Sequence, residues 1–156
     1  MPAVVRRTID APLQQVWDVV SDFASYGRWI PLTTMVTDPA PIRVGWGFAG
    51  RTGLGPVGFL DSMLVTVWEP PHAPDLVRAR FAIRKTGRVL AGWAQVGAVT
   101  RADGLTDLTW TEEIIPRPEF LGRLLAPLAD PVTSRLFGRA VAGMARVAEA
   151  AASSAR

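Results

Sequence analysis

Residues 118–156, PEFLGRLLAPLADPVTSRLFGRAVAGMARVAEAAASSAR, form the longest amphipathic stretch of the sequence. Apolar residues recur there at the i, i+3, i+4, i+7 spacing that gives a helix one buried face. A helix with so broad an apolar face needs a large apolar surface to lie on. The apolar positions are Leu121, Leu124, Leu125, Leu128, Leu136, Phe137, Ala140, Val141, Met144, Val147, Ala148 and Ala151.

Two prolines interrupt this helical pattern. Proline inside a helix removes a hydrogen bond and clashes with the preceding turn. The sequence therefore predicts two helices on roughly one axis, the first from about Glu119 to Ala126. Asp130 is expected to cap the second helix, with Pro131 at its first position.

The N-terminal part predicts a strand followed by two short helices. Ala3 to Ile9 is rich in β-formers and ends before a proline. Pro12 then opens a helix, and a second short helix runs through Phe23 and Trp29 as far as Pro31. These two helices are expected to form a supporting corner.

From Thr33 to Ile115 the apolar residues alternate with polar ones, and turn sequences separate the segments. This pattern predicts six antiparallel strands joined by tight turns. The predicted strands are Thr34–Thr37, Gly45–Arg51, Gly58–Glu69, Leu76–Arg84, Arg88–Thr100 and Leu105–Ile115. The fold class is therefore α+β, in one domain over residues 1–156. A curved antiparallel sheet of about seven strands wraps around the long C-terminal helix, with two short helices after the first strand.

Composition excludes several classes of protein. Apolar residues make up 49% of the chain and charged residues 20%, which is typical of a folded domain. The absence of cysteine excludes disulfides and thiol catalysis, and a single histidine argues against a histidine-based metal site. We therefore expect no metal and no cofactor. With no signal peptide and no membrane-spanning segment in the sequence, we expect a cytoplasmic protein without stable membrane insertion.

The net charge of +3 does not by itself indicate a nucleic-acid partner, because the basic residues are scattered. The nearest approach to a cluster is Arg78, Arg80, Arg84, Lys85 and Arg88. We interpret it as an outward strand face and a solvated hairpin tip. The alternative is a cavity entrance that attracts anionic ligands.

Two further features have simple structural explanations. Gly45 to Gly50 matches the GxGxxG dinucleotide fingerprint, but a strand rather than a helix is predicted to follow it. Nucleotide binding is therefore not expected. His72 lies between prolines in a predicted loop, where a solvated residue is expected and a place at a cavity rim is the alternative.

The most informative polar position is in the last predicted strand. Alternation places Leu108, Trp110 and Glu112 on its inward side, and a carboxylate there is costly unless paired. Burial is expected to raise the pKa of Glu112, which is common at functional sites. The alternatives are a buried salt bridge or an edge position.

Asp61 and Gln95 are weaker candidates of the same kind. Asp61 faces inward if Phe59, Met63, Val65 and Val67 do, whereas the opposite register places Leu60, Leu64 and Trp68 inward. The sequence leaves both registers open. Gln95, beside Trp93, has the same ambiguity.

The order of several short motifs resembles that of the SRPBCC (START-like, helix-grip) superfamily, in its polyketide cyclase/dehydrase-like branch. The matching segments cover essentially the whole chain. They are Ile9–Pro12 with Val16–Asp18, Asp22–Phe23 with Tyr26 and Trp29–Pro31, Val67–Pro71, Leu108–Trp110 and the C-terminal helix. The resemblance implies a helix-grip fold with a mostly apolar cavity between sheet and helix, suited to a lipid, polyketide or aromatic ligand.

We therefore expect a protein that binds a small hydrophobic ligand, as a monomer or homodimer. The expected cavity residues are Trp29, Trp46, Phe48, Phe59, Met63, Phe81, Trp93, Gln95, Trp110, Leu124, Leu128, Leu136, Phe137, Ala140 and Met144. One alternative is a polyketide cyclase or dehydratase that uses Glu112 and Asp61 for acid/base chemistry, with Gln95 or Arg80 polarising a carbonyl. Another is an interaction module that grips a quinone-type lipid or a partner peptide.

Overall fold

The computed structural model of the protein describes residues 2–54, 56–72, 74, 76–117 and 119–155, and for residues 119–134 only the backbone. These described residues form one curved antiparallel sheet of seven strands, two α-helices and a 3₁₀ helix. The strands are β1 Ala3–Ile9, β2 Thr33–Thr37, β3 Gly47–Leu54, β4 Val57–Glu69, β5 Arg78–Lys85, β6 Leu90–Thr100 and β7 Thr106–Pro116. The helices are α1 Leu13–Val20, the 3₁₀ helix Phe23–Arg28 and α2 Glu119–Ser154.

The strands follow one another in space from β2 to β7, and β1 then pairs with β7. Every neighbouring pair is antiparallel. This arrangement confirms the predicted helix-grip fold, and each strand boundary agrees with the prediction to within three residues. The fingerprint-like Gly45–Gly50 segment runs into β3, so it lacks the helix that nucleotide binding requires.

One face of the sheet is buried and the other is open. In β7, Leu108, Trp110 and Glu112 are buried, whereas the residues between them are partly exposed. In β5, burial extends from Ala79 through Phe81 and Ile83 to Lys85. The alternation that predicted inward and outward residues in these two strands is therefore present in the structure.

Strand β4 combines the two registers that the sequence left open. Its pairing with β5 shifts between Val65 and Val67, which marks a β-bulge. Before the bulge Met63 and Val65 are buried, and after it Trp68 packs on the core aromatics. The bulge reverses the alternation, so each register holds for one part of the strand.

The corner formed by α1 and the 3₁₀ helix supplies the centre of the core. Phe23 is fully buried and stacks on Phe48 with ring centroids 4.3 Å apart. Its ring also meets Phe81 edge-on at 5.0 Å. Tyr26 is held by a hydrogen bond of 2.6 Å from its hydroxyl to the carbonyl oxygen of Val20.

The predicted break in the C-terminal helix is wrong. Helix α2 is continuous over 36 residues and passes through both Pro127 and Pro131. Because these prolines are four residues apart, they remove hydrogen-bond donors from the same side of two successive turns. The other rows of backbone hydrogen bonds can continue past them, so a break is not required.

The described side chains of α2 pack on the core along one stripe. The buried positions are Ala140, Val141, Met144, Ala145, Ala148 and Ala152. Near the middle of this stripe, Gly143 lies directly beneath the indole of Trp29. A Cβ atom added at Gly143 would lie 2.8 Å from the ring, so the glycine is needed for this close contact.

Candidate functional site

Three ionisable side chains converge on the inner face of the sheet: Asp61 of β4, Lys85 of β5 and Glu112 of β7. The Nζ atom of Lys85 lies 2.6 Å from Oδ2 of Asp61 and 3.5 Å from Oε1 of Glu112. The exposed fractions of the side chains are 5% for Lys85, 5% for Glu112 and 14% for Asp61. We call this group the Asp61–Lys85–Glu112 cluster.

The sheet brings these residues together although β6 separates β5 from β7. Lys85 pairs with Gly92 of β6, and Glu112 pairs with Ala94 two residues further along. These small residues leave room for the lysine and the glutamate to reach each other across β6. Gly92 has a φ of 123°, and an added Cβ would lie 1.9 Å from the carbonyl oxygen of Glu113.

The charges of the cluster are only partly balanced. Burial raises the pKa of Glu112, and the nearby carboxylate of Asp61 raises it further. Lys85 and a 3.2 Å hydrogen bond from Nε1 of Trp110 act in the opposite direction but do not cancel the effect of burial on this pKa. Glu112 therefore retains a proton to higher pH than an ordinary glutamate.

One oxygen of the cluster accepts no hydrogen bond from the part of the chain that the structure describes. Oδ2 of Asp61 accepts from Lys85, whereas Oδ1 is buried and has no partner within the described part of the chain. An unpaired buried acceptor is costly. A donor supplied by a ligand or by water would remove that cost.

Aromatic rings adjoin the cluster. Trp110, which donates to Glu112, has its ring 6.1 Å from that of Tyr26 and 6.3 Å from that of Phe137. Burial raises the pKa of Tyr26, and the charge of Glu112 raises it further. The hydroxyl of Tyr26 already donates to the carbonyl oxygen of Val20. This tyrosine therefore contributes its ring to the aromatic surface beside the cluster and is not positioned as a general acid.

Most of the predicted cavity residues face the interior. Phe81, Trp110, Ala140 and Met144 are buried in the core, as is Met63. Phe59, Leu136 and Phe137 are partly buried. The side chains of Leu124 and Leu128 lie outside the described residues.

Trp29, Trp46 and Phe48 are also among the predicted cavity residues. Trp46 and Phe48 instead lie in the packed aromatic core around Phe23, and Nε1 of Trp46 donates to the carbonyl oxygen of Pro39. Trp29 is partly buried against Gly143, and its buried Nε1 has no partner among the described residues.

Two of the predicted cavity residues are on the wrong side of the sheet. Gln95 is exposed, and Trp93 is 37% exposed. The inward residues of β6 are Ala94, Val96 and Ala98, so the alternation turns both predicted side chains outward. Trp93 donates a hydrogen bond of 3.2 Å to Glu113 on that outer face.

Other residues considered for catalysis or entry are also outside the interior. Arg80 forms an exposed ion pair with Glu69 at 2.6 Å and does not face the cluster. His72 is exposed in its loop. Among the described residues, no group of histidine, aspartate and glutamate side chains is arranged to hold a metal ion.

Lys85 is the functional candidate that the sequence analysis missed. It was assigned to a solvated hairpin tip, but it is buried. The signal was present in the sequence: the inward series Ala79, Phe81 and Ile83 reaches position 85 when continued by two residues. A lysine on that face has to be paired, and the inward carboxylates of Asp61 and Glu112 provide the partners.

Comparison with known proteins identifies the family. The sequence profile of the polyketide cyclase / dehydrase and lipid transport family matches residues 2–149, and the chain belongs to this family. Among curated protein sequences, none matches the chain significantly.

Solved structures share the fold across nearly the whole chain. The Zhui aromatase/cyclase from Streptomyces sp. R1128 is 17% identical, with a TM-score of 0.67 over 94% of this chain and 93% of that one. A hypothetical protein from Helicobacter pylori is 11% identical, with a TM-score of 0.74 over 95% and 88% of the two chains. A START superfamily protein from Mycobacterium smegmatis is 12% identical, with a TM-score of 0.61 over 99% of each chain. These identities establish the fold alone.

Within the described residues, no helix is both long enough and apolar enough to span a bilayer.

Proposed function

We propose that this protein binds a small, mostly apolar ligand between the curved sheet and α2, and that the Asp61–Lys85–Glu112 cluster contacts an oxygen atom of that ligand. The family to which the chain belongs includes proteins of lipid transport and of polyketide chemistry, which supports a hydrophobic ligand. The observation that carries the proposal is the convergence of three buried ionisable groups beside aromatic rings.

The aromatic rings account for the apolar part of the ligand. Trp110 and Phe137 present aromatic surface from the sheet and from α2, respectively. Offset or edge-on packing of a ligand ring on such side chains is favourable beyond simple burial of area. A flat, partly unsaturated ligand therefore fits this wall better than a fully polar one.

The Asp61–Lys85–Glu112 cluster accounts for the polar part of the proposed ligand. A buried ion pair contributes little to stability, since apolar residues of similar volume are often as good. A cluster kept only for stability is expected to pair its buried oxygens, but Oδ1 of Asp61 has no partner among the described residues. Lys85 can donate to a ligand carbonyl, and Asp61 can accept from a ligand hydroxyl.

The proposal is tested by native mass spectrometry of the purified protein, followed by denaturation and extraction. We expect a co-purifying small molecule with an apolar skeleton and at least one oxygen atom, retained by the wild type and by an Arg80→Met control. Lys85→Met should lose most of it. A molecule without oxygen, or equal retention by Lys85→Met, would contradict the role of the cluster.

A second candidate function is acid/base catalysis of a cyclisation or dehydration, and the raised pKa of Glu112 favours it. In an aldol cyclisation, Asp61 would remove a proton from carbon next to a carbonyl, while Lys85 stabilises the enolate oxygen. The enolate carbon then attacks a second carbonyl, and protonated Glu112 gives its proton to the new alkoxide. Loss of water would follow, with no net oxidation or reduction.

This catalytic candidate is tested with poly-β-keto substrates and the Glu112→Gln variant. We expect product formation to fall by about 10²–10⁴-fold if Glu112 is the acid. The Glu69→Gln variant, which changes only an exposed ion pair, is the control. Unchanged turnover in Glu112→Gln would exclude Glu112 from catalysis while leaving the binding proposal intact.

A further inference from the structure

One end of the sheet carries an unusual surface, which we call the hairpin end. It consists of the described residues of the ranges 28–33, 51–60 (without residue 55), 86–89 and 116–117. Backbone contacts join these segments: the amide of Gly53 donates to Leu32 and that of Arg117 to Val89, and a Cβ added at Gly87 would lie 3.1 Å from the carbonyl oxygen of Leu60. The four segments therefore form one continuous surface.

Aliphatic side chains are exposed at this end. The exposed fractions are 78% for Val57, 68% for Leu54 and 60% for Leu32. Leu60 and Val89 are also exposed and extend this apolar surface. Scattered exposed apolar residues are ordinary, but a contiguous group is typical of an interaction site.

The backbone holds these side chains outward. Gly53 has a φ of 145°, and an added Cβ would lie 2.2 Å from the carbonyl oxygen of Val57, so the β3–β4 hairpin is closed tightly. Among the described residues, Leu32 is the one non-glycine residue with a positive φ, at 58°. Such a conformation costs free energy in a leucine and is commonly kept where function requires it.

The charge of the hairpin end is of one sign. Its four segments contain no aspartate or glutamate. They contain four exposed arginines, namely Arg28, Arg51, Arg88 and Arg117. The loops at the opposite end of the sheet include the acidic residues Asp10, Asp38 and Asp103 but also Arg43 and Arg101, and Arg101 pairs with Asp103. The hairpin end is therefore basic throughout, whereas the opposite end carries charges of both signs.

We propose that the hairpin end docks on the surface of an anionic lipid bilayer. Aliphatic side chains on a protruding turn can enter the boundary between headgroups and acyl chains, while surrounding arginines remain among the phosphates. A bilayer surface with anionic headgroups above an apolar interior matches both the exposed arginines and the exposed aliphatic side chains of the hairpin end.

This docking would bring the interior site close to the bilayer. Asp61 lies four residues along β4 from Val57, which is about 13 Å of extended strand. A ligand taken from the bilayer would thus have a short path to the Asp61–Lys85–Glu112 cluster. The docking proposal does not depend on the cluster, because the hairpin end consists of different residues.

The test is co-sedimentation of the full chain with vesicles of phosphatidylcholine, alone or with about one-third phosphatidylglycerol. We expect binding to the anionic vesicles that weakens as salt is added, and little binding to the neutral ones. Leu54→Asp should weaken binding at least tenfold. Arg51→Gln and Arg88→Gln should each weaken it about fivefold.

Two control variants change similar residues at the opposite end of the sheet. Leu76→Asp and Arg78→Gln also alter exposed side chains, and both should bind the vesicles as the wild type does. Circular dichroism verifies that each variant is folded. Equal binding to both kinds of vesicle, no binding at all, or equal losses from Leu54→Asp and Leu76→Asp would overturn the proposal.

Other occupants of the hairpin end give different results. If it were an interface between two copies, light scattering would show a dimer that Leu54→Asp dissociates, without vesicle binding. If it bound an acidic protein, vesicles would again not bind. Either result refutes membrane docking and leaves the interior ligand detected by mass spectrometry unaffected.

Discussion

Removal of the Lys85 charge is the perturbation whose effect the structure defines best. The Lys85→Met variant keeps a side chain of similar length but leaves the carboxylates of Asp61 and Glu112 together without a cation. Removing one partner of a buried ion pair typically costs about 3–5 kcal/mol, because the remaining charge is buried and uncompensated. For a domain of this size, that corresponds to a fall in Tm of roughly 6–20 °C.

The loss of stability should depend on pH. Lys85 lowers the pKa of Glu112, which burial already holds above its usual value, so the variant raises that pKa further. A carboxyl group with a raised pKa in the folded state contributes stability that is present below the unfolded pKa and is lost as pH rises through the folded pKa. The destabilisation by Lys85→Met should therefore be larger at pH 8 than at pH 5.

The assay is thermal unfolding followed by circular dichroism at both pH values, with two reference variants. Arg80→Met breaks an exposed ion pair and should leave the Tm nearly unchanged. Asp61→Asn combined with Lys85→Met removes one negative charge with the positive one, and should recover part of the lost stability. If Lys85→Met had the same Tm as Arg80→Met at pH 8, the cluster would not be buried as described.

Three further predictions follow from individual positions. Glu112→Gln removes a group with a raised pKa, so the free energy of unfolding should fall less with rising pH than in the wild type. Chemical denaturation at several pH values measures this. Parallel pH profiles for the two proteins would contradict the raised pKa of Glu112. Gly92→Ala forces a Cβ to within 1.9 Å of the Glu113 carbonyl oxygen, and should cost more than about 3 kcal/mol; an unchanged urea midpoint would refute this packing. Gln95→Ala alters an outward side chain and should leave ligand retention in native mass spectrometry unchanged, whereas a loss would indicate that β6 has the opposite register.

The fold could be predicted because local patterns and long-range packing agree. Alternation gave the strands, prolines and glycines gave the turns, and the stripe of the last helix required a curved apolar surface. Helix α2 is the exception. The local rule against proline was applied at Pro127 and Pro131, but their four-residue spacing confines the missing hydrogen bonds to one side of the helix.

The site was only partly predictable, because it depends on pairings between strands that are distant in sequence. Glu112 was identified from the alternation in β7 alone. Asp61 could not be assigned, since the bulge at Val65–Val67 changes the register in the middle of β4. Lys85 was not predicted as a site residue because it directly precedes a predicted turn, where a solvated side chain is expected. The alternation along β5 would instead have placed it on the inward face.

Trp93 and Gln95 show a different limit of sequence reasoning. The stretch Leu90–Ala94 of β6 mixes small and large residues. The bulk of Trp93 therefore favoured the prediction that its side chain faces the interior. The inward series is in fact made of small residues, Ala94 and Ala98, with Val96 between them. Small residues there leave room for side chains that project from β5 and β7, as Lys85 and Glu112 do.

The most direct test of the central claim is to compare two probes of nearly equal size, 2-naphthol and 2-methylnaphthalene, by titration calorimetry. A hydrogen bond to a charged group contributes about 1.5–3 kcal/mol, so the wild type should bind the naphthol about 10–100-fold more tightly. The preference should persist in Arg80→Met and disappear in Asp61→Asn combined with Lys85→Met. Equal affinity of the wild type for both probes, or a preference that survives in the double variant, would contradict the claim that this cluster recognises the oxygen of a ligand.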